Sequence, residues 1–425
     1  MYSIEILFFI HRTRITRIGR IFAEKIRENP FHQRSIYLPV LCVCFILCGC
    51  ITEYEATGID EVADILVVEG VITDDETIIT LSRSSNLTDD YQSSISYISN
   101  ARISVECDDG TQMYGDPHSE GDGYYVIWRY TIKTGQLNLD CKYRLKIEIE
   151  EIDYGSDDCY PNFFGEITCP AKTYEYCSDY SYPIKTPEID SIFWIKRGRG
   201  QPVMIHVATH SPDRQVLYYR WSYKEDWEIN SDVVLEEYPY YCWNQSSNRD
   251  LLLGSAEKTV FGKVTEMLAE IPPSNRKLSV LYRINVRQNA ISKRAYDYFA
   301  NIKKNSQQSG SIFAPIPSEL RGNIVCTTDP DRPVIGYVDV STTTQKTRYI
   351  SRRDNLYEPS RLDYCDAVSI EYLIEIYGED EWIDLIPGYF VPLPPEMKEG
   401  YVHVECVDCT YYGTTQKPDD WPDNY

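Results

Sequence analysis

Residues 143–149 read Tyr143-Arg144-Leu145-Lys146-Ile147-Glu148-Ile149. Apolar and charged side chains alternate without a break. A period of two puts Tyr143, Leu145, Ile147 and Ile149 on one face of a strand and Arg144, Lys146 and Glu148 on the other. The stretch therefore predicts a strand lying on a core, with one face buried and one wet. Its neighbours read alike. Ile65-Leu66-Val67-Val68-Glu69-Gly70 is a run suited to a buried strand, and 77–83 partly alternates. Ala101-Arg102-Ile103-Ser104-Val105 alternates and runs into a turn at Asp108-Asp109-Gly110, and Gly123-Tyr124-Tyr125-Val126-Ile127-Trp128 predicts a further strand. Short strands at this spacing predict a β-sandwich over 64–182, in an order that resembles transthyretin- or Ig-like exported modules.

Outward from there, Tyr182-Pro183-Ile184-Lys185-Thr186-Pro187 reads as a link. A second, larger β region over 187–395 opens at Ile189-Asp190-Ser191-Ile192-Phe193-Trp194. It contains one helix, near 292–307: Ser292 caps it, and Ala295, Tyr298, Phe299 and Ile302 recur at helical spacing. Residues 396–425 form a Cys-rich tail. The fold class is thus mainly β, with two β-sandwich domains, a helical insertion in the second and a C-terminal tail.

The N-terminus has another character. The apolar run 37–49 is shorter than the roughly 20 residues a membrane-spanning helix needs. It has the length of a signal-peptide core and follows seven basic residues, from Arg12 to Arg34. It ends in Leu47-Cys48-Gly49-Cys50, which resembles a bacterial lipobox. The reading is a lipoprotein signal peptide over 1–49, a lipid anchor on Cys50 and a tether over 50–63. A single acyl chain holds a protein to a membrane only marginally, and several hold it stably.

Charge divides at the same place. Residues 1–50 hold seven Lys/Arg and three Asp/Glu, whereas the remainder holds 35 basic and 62 acidic residues. A mature chain that acidic is repelled by phosphate backbones, which argues against a nucleic-acid partner. Tyrosine is abundant, 36 against 12 Phe. Its ring packs while its hydroxyl finds water, so it suits strands and half-wet surfaces.

Ten cysteines follow the anchor: Cys107, Cys141, Cys159, Cys169, Cys177, Cys242, Cys326, Cys365, Cys406 and Cys409. An even number in an exported chain reads as disulfides, with a local staple among Cys159, Cys169 and Cys177. Cys406-Val407-Asp408-Cys409 with His403 is also half a zinc pattern, but a second pair is missing. His206 and His210 share a strand face without a third ligand. Asp108-Asp109 and Asp157-Asp158 read as turns rather than calcium loops. Glu375, Glu379, Asp380 and Glu381 cluster beside Trp382, as expected by chance in so acidic a chain. Asp190-Ser191-Ile192 matches a short glycosylation pattern, but three residues match often by chance and the strand reading is preferred. No nucleophile elbow, zinc-protease or phosphate-loop motif occurs. The expectation is no catalytic residues, no cofactor and no metal. Tyr240, Tyr241 and Trp243 are the aromatics that suit a ligand-facing surface.

Several segments together resemble the Bacteroidetes lipoprotein family known as domain of unknown function 4249 (DUF4249). They are the lipobox, Leu66-Val67-Val68-Glu69-Gly70, Ile189-Asp190-Ser191-Ile192, Tyr218-Tyr219-Arg220-Trp221, Tyr241-Cys242-Trp243, Gly322-Asn323-Ile324, Gly336-Tyr337, and the tail Cys406-x-x-Cys409-Thr410 with Lys417-Pro418-Asp419-Asp420-Trp421-Pro422. The resemblance implies an outer-membrane lipoprotein found alongside a TonB-dependent transporter, and it brings no catalytic residues. The expectation is an outer-membrane, non-enzymatic accessory to nutrient capture, facing the cell surface. The alternative is a structural or adhesive envelope protein with no small-molecule ligand. Replacing Cys50 by Ala is expected to leave an unprocessed, unlipidated precursor or to release the protein, as read by intact mass and membrane fractionation. Normal mature mass with membrane retention would sink the anchor assignment.

Overall fold

The computed structural model of the chain describes residues 65–84, 95–120, 126–152, 158–161, 167–248, 250–308, 322–359, 365–378, 389–394, 397 and 400–423. The signal peptide, Cys50 and the tether expected from the sequence lie outside the described residues. So do residues 123–125 of one expected strand, Asp157, and Glu379, Asp380, Glu381 and Trp382 of the acidic cluster.

The chain is mainly β. The strands of its first half are β1 (Leu66–Val71), β2 (Asp75–Arg83), β3 (Ser96–Tyr97), β4 (Arg102–Cys107), β5 (Gln112–Glu120), β6 (Ile127–Gly135), β7 (Tyr143–Ile152), β8 (Tyr160–Pro161), β9 (Ile167–Thr168) and β10 (Ala171–Ser178). There follow β11 (Ile189–Lys196), β12 (Val203–His210), β13 (Tyr218–Asn230), β14 (Tyr241–Ser247), β15 (Leu252–Ser255), β16 (Lys263–Ile271), β17 (Leu281–Ala290), helix α1 (Lys293–Gln308), β18 (Ile324–Cys326), β19 (Val334–Gly336), β20 (Thr343–Ser351), helix α2 (Ile370–Tyr377), β21 (Phe390–Pro392) and β22 (Tyr401–His403).

Strand β7 behaves as its period demands. Tyr143, Leu145, Ile147 and Ile149 are buried, and the residues between them are partly exposed. The wet face carries ion pairs: Arg144 to Glu106, and Lys146 to Glu148 and Glu175. Burying each aliphatic side chain contributes roughly 1.5–3 kcal/mol. A partly exposed ion pair contributes about 0–1 kcal/mol. The apolar face therefore sets the strand's position and the charges decorate it.

The first sheet runs β18-β10-β7-β4-β5-β6-β2-β1-β19, with β3 added to β2. It is folded over at β5, whose residues 112–114 pair with β4 and whose residues 115–120 pair with β6. Gly115 stands at the changeover. A Cβ there would come within 2.7 Å of both Ile103 and Ile132, so the corner needs a residue without a side chain. The two layers enclose one core that includes Leu66, Ile79, Leu81, Ile103, Val105, Tyr130, Ile132 and Leu145.

The second sandwich sets β11-β12-β16 against β14-β13-β17-β20, with β15 also on β13. Its core holds Ile192, Val203, Ile205, Val207, Tyr219, Trp221, Trp227, Ile284 and Val286. Trp221 and Trp227 belong to this core and not to a surface platform. The Trp221 indole N–H donates to Gln288 Oε1 at 2.8 Å, and Gln288 Nε2 donates to the Pro187 carbonyl at 2.7 Å. Helix α1 begins where its cap predicts: Ser292 Oγ accepts the Ala295 N–H at 3.1 Å. Ala295, Tyr298 and Phe299 bury against Tyr218, Leu253 and Tyr337.

One expectation about domain limits changes. The stretch 324–340 belongs by sequence position to the second region, yet β18 pairs with β10 and β19 pairs with β1 in the first sheet. Both edges of the first sheet were open, and an edge with unpaired backbone groups takes the strand that reaches it. The link 182–187 is hydrogen-bonded as well. Ile184 N–H donates to Val340 O at 2.9 Å, Thr342 N–H to Ile184 O at 3.0 Å, and Ser341 N–H to Ile72 O at 2.9 Å. Residues from Val62 onward accordingly form one compact unit. The tail subdomain also starts earlier than 396. Val391, Val402, Cys406 and Val407 form its small core, with Cys365 and Ala367 packed against them. Among the described residues, no helix is long and apolar enough to cross a membrane.

Gly254 lies against the Trp221 ring, and a Cβ there would collide with the ring and approach Val264 within 2.8 Å. Because the ring is held by Gln288, Gly254→Ala is expected to cost about 1–3 kcal/mol through overpacking. A lowered urea midpoint at unchanged slope is the expected readout, and an unchanged midpoint would refute the packing account.

Candidate binding cleft at the C-terminal tail

The site is built on the second half of β13. Residues 225–229 are all buried, which a strand achieves only when both its faces are covered. Trp227 and Ile229 point into the sandwich. Glu225 shares that face, where Tyr282 Oη donates to it at 2.8 Å and Lys277 pairs with it. Asp226 and Glu228 point outward, where an exposed sheet would leave them in water. Instead Arg283, directly opposite Asp226 on β17, donates to Asp226 Oδ2 from Nε at 3.1 Å and from Nη2 at 2.9 Å. The same guanidinium reaches Asp420 at 2.7 Å and lies under the Trp421 ring at 5.3 Å. Trp421 Nε1 donates to Glu228 Oε2 at 3.0 Å.

Burial pulls the Arg283 guanidinium down, but its bonds to Asp420 and Asp226 more than offset this and hold it above its ordinary value. Asp420, accepting from Arg283, is held below the usual carboxylate range. The tail motif thus closes the outer face of the sheet through two charges and an indole.

Covalent bonds hold the tail there. Cys242 on β14 is bonded to Cys409, and Cys365 to Cys406. Trp243 and Thr414 exchange both backbone hydrogen bonds at 2.8 Å. The zinc alternative for Cys406 and Cys409 is therefore closed, because both sulfurs are in disulfides.

Between the tail and β14 opens a cleft of about 750 Å³, lined by Glu228, Tyr241, Trp243, Arg353, Lys417 and Trp421. Tyr241 is 57 % exposed, and Tyr240 braces it edge-on at 4.7 Å. The Trp243 indole nitrogen is buried without a hydrogen-bond partner. Of the three aromatics expected to face a ligand, Tyr241 and Trp243 line the cleft, while Tyr240 stands behind them. Trp421, Arg353 and Lys417 were not among the candidates. The tail motif contains Trp421 and Lys417, but nothing local in the sequence says that it folds back onto β14. The arrangement suits a planar or ring-bearing group stacked on Tyr241 and Trp243, with charged contacts at the rim from Arg353, Lys417 and Asp423.

The other candidates lie elsewhere. His206 stacks on Phe193 at 5.4 Å, and His210 pairs with Asp190 at 2.7 Å. Asp108 and Asp109 form the expected turn, in which Asp109 Oδ1 accepts the Thr111 N–H at 2.8 Å. Glu375 sits on α2. The Cys159–Cys169 staple is present. Of the ten cysteines expected to pair, Cys107, Cys141, Cys177 and Cys326 are free thiols. Register explains the last two. Tyr176, not Cys177, stands opposite Cys326, so the two sulfurs point to opposite faces of the sheet. Cys107, Asp109 and Cys141 bring ligand atoms within 4.8 Å of one another. Burial, followed by contacts with Asp109 and Cys141, pushes the Cys107 thiol up to about 12.

Two β-sandwiches joined by backbone hydrogen bonds between their connecting segments, with a disulfide-bonded tail laid over one of them, define the class of protein. The chain belongs to the family described as Domain of unknown function (DUF4249), whose model matches residues 51–162 and 166–347. Glu228, Tyr241 and Trp243 lie inside the matched residues, whereas Arg353, Lys417 and Trp421 lie beyond them. A search of the curated proteins finds no match.

Trp421 is 4 % exposed and carries the hydrogen bond to buried Glu228. Trp421→Ala is expected to cost about 3–5 kcal/mol in chemical denaturation. A loss below 1 kcal/mol would show that the tail is not held by this side chain.

Proposed function

We propose that the chain is a lipid-anchored outer-membrane protein, tethered through Cys50, that assists a TonB-dependent transporter in capturing a nutrient and performs no catalysis itself. The observation that carries this reading is the cleft. Stacking rings with a charged rim are mounted on a face held by two disulfides and the Arg283 pairs. Such a site recognises a ligand or a partner surface without having to rearrange, which lowers the cost of binding. Aromatic side chains with an apolar body and a polar tip are the residues that carry interface energy most often. The lipid anchor and the transporter follow from the lipobox and the family resemblance. On this reading the cleft lies beside an outer-membrane barrel at the cell surface.

The test is an affinity pull-down of the tagged protein from mild-detergent outer membranes, read by mass spectrometry. A TonB-dependent barrel at stoichiometric yield is the expected result. Tyr241→Ala, at an exposed position, is expected to reduce its recovery about tenfold while leaving the fold intact. A clean preparation without a barrel, repeated after crosslinking, would favour the structural or adhesive reading instead.

A further inference from the structure

Arg220 lies on the same strand as the carboxylates just described, but in its first half. Tyr219 and Trp221 point into the second sandwich. Tyr218 points outward beneath α1, and Arg220 shares its face. The Arg220 guanidinium lies over the Phe299 ring at 4.8 Å. Among the described residues it has no ion pair and no hydrogen bond, and burial lowers its pKa from the ordinary value, with only a Coulombic pull from Glu69 against it. Cation–π contact returns about 0.5–2 kcal/mol. The residue is half-buried, so solvent and the ring each offset part of the desolvation cost, and no carboxylate pairs with the guanidinium fork.

The unpaired charge faces a cavity. A space of about 320 Å³ lies where β1, β13, α1 and the end of β19 meet. Its apolar walls include Val67, Phe299, Ile302 and Ile335. The hydroxyl of Tyr298, which also lines it, is buried; the Gly336 backbone N–H lies close enough to the oxygen to pull its pKa down against burial, and the O–H itself meets no acceptor. Tyr298 is 6 % exposed. A guanidinium without an ion pair and a phenol O–H without an acceptor therefore line one cavity. The segments that carry the family resemblance at 66–70, 218–221 and 336–337 all contribute to its wall.

We propose that this cavity binds a small organic carboxylate, whose oxygens accept from Arg220 and Tyr298 and whose apolar body packs on Phe299, Ile302 and Ile335. The planar fork of a guanidinium matches a carboxylate, and a phenol O–H completes the set. The volume lies at the low end of the range for small-molecule pockets. Glu69 and Asp250 also line the space, so every anion meets repulsion there, and a dianion such as phosphate meets about twice what a carboxylate monoanion with an apolar body does. The site is separate from the aromatic cleft and does not depend on the transporter reading.

The purified full-length protein, kept in detergent, is titrated with hexanoate, phenylacetate, inorganic phosphate and the uncharged hexanamide. Binding is read by calorimetry and by the shift in Tm. The expected result is saturable binding of a carboxylate with a raised Tm, and binding of phosphate and hexanamide at least about tenfold weaker. Arg220→Met should weaken carboxylate binding about tenfold or more, while the unliganded Tm stays level or rises because an unpaired charge is gone. Tyr298→Phe should weaken binding several-fold, and Tyr241→Ala in the distant cleft should leave it unchanged. The proposal is overturned by no saturable carboxylate binding at millimolar concentration, or by phosphate binding as tightly. It is equally overturned if Arg220→Met keeps full affinity, or if that variant unfolds or lowers the unliganded Tm, since the guanidinium would then be serving the fold.

Discussion

Strand β13 has no wet face along its second half, and the rest of the molecule is arranged around that constraint. Its inner face is buried by the second sandwich. Its outer face carries Asp226 and Glu228, which a sheet of this kind would ordinarily turn to solvent. Removing two carboxylates from water is costly unless each finds a donor. Arg283 supplies one and the Trp421 indole the other. Both donors depend on the tail being in place, because Asp420 balances Arg283 and Trp421 belongs to the tail. The disulfides Cys242–Cys409 and Cys365–Cys406 keep it there. Charge burial, tail docking and the cleft between the tail and β14 are thus one structural event.

A second constraint acts at the seam between the sandwiches. Residues 337–342 run between Ile72 on one side and the link at Ile184 on the other. Asp339 in this stretch is buried, and its carboxylate accepts the Ser292 N–H at 2.6 Å at the start of α1. Desolvation raises its pKa, and the bonds from Ser292 and Val340 pull the other way. The start of the helix that covers the outer face of β13 is therefore positioned by the segment that follows β19 of the first sheet. With both sandwiches sharing backbone hydrogen bonds, a hinge between them would have to break a ladder.

The local features were legible in the sequence and the long-range ones were not. The alternation at 143–149 specified a strand and its buried face, because period two leaves one solution. Ser292 marked the start of α1, because a cap acts within three residues. The nearby Cys159 and Cys169 gave a local staple. By contrast, the run Val334-Ile335-Gly336 reads as a strand but does not say which sheet takes it. That depends on where an unpaired edge lies in space. Nothing within a few residues of Asp226 and Glu228 reveals that Trp421, 193 residues beyond Glu228, will donate to Glu228. The pairing of Cys242 with Cys409 spans 167 residues and is equally invisible locally. Tyr241 and Trp243, expected to face a ligand, line one wall of the cleft. The other wall is a tail whose destination only the fold determines.

The two arginines that meet the outer face of this sheet make the final point. Arg283 sits across from Asp226, with Asp420 and Trp421 completing its surroundings, and every charge there is answered. Arg220, on β13 itself, has the same chemistry and no partner beyond a ring. A fold held entirely for stability would answer the second charge as it answers the first, or replace it with an apolar side chain of similar volume. That Arg220 instead faces a cavity, beside a tyrosine O–H without an acceptor, distinguishes a group serving the fold from a group exposed to something that arrives afterwards.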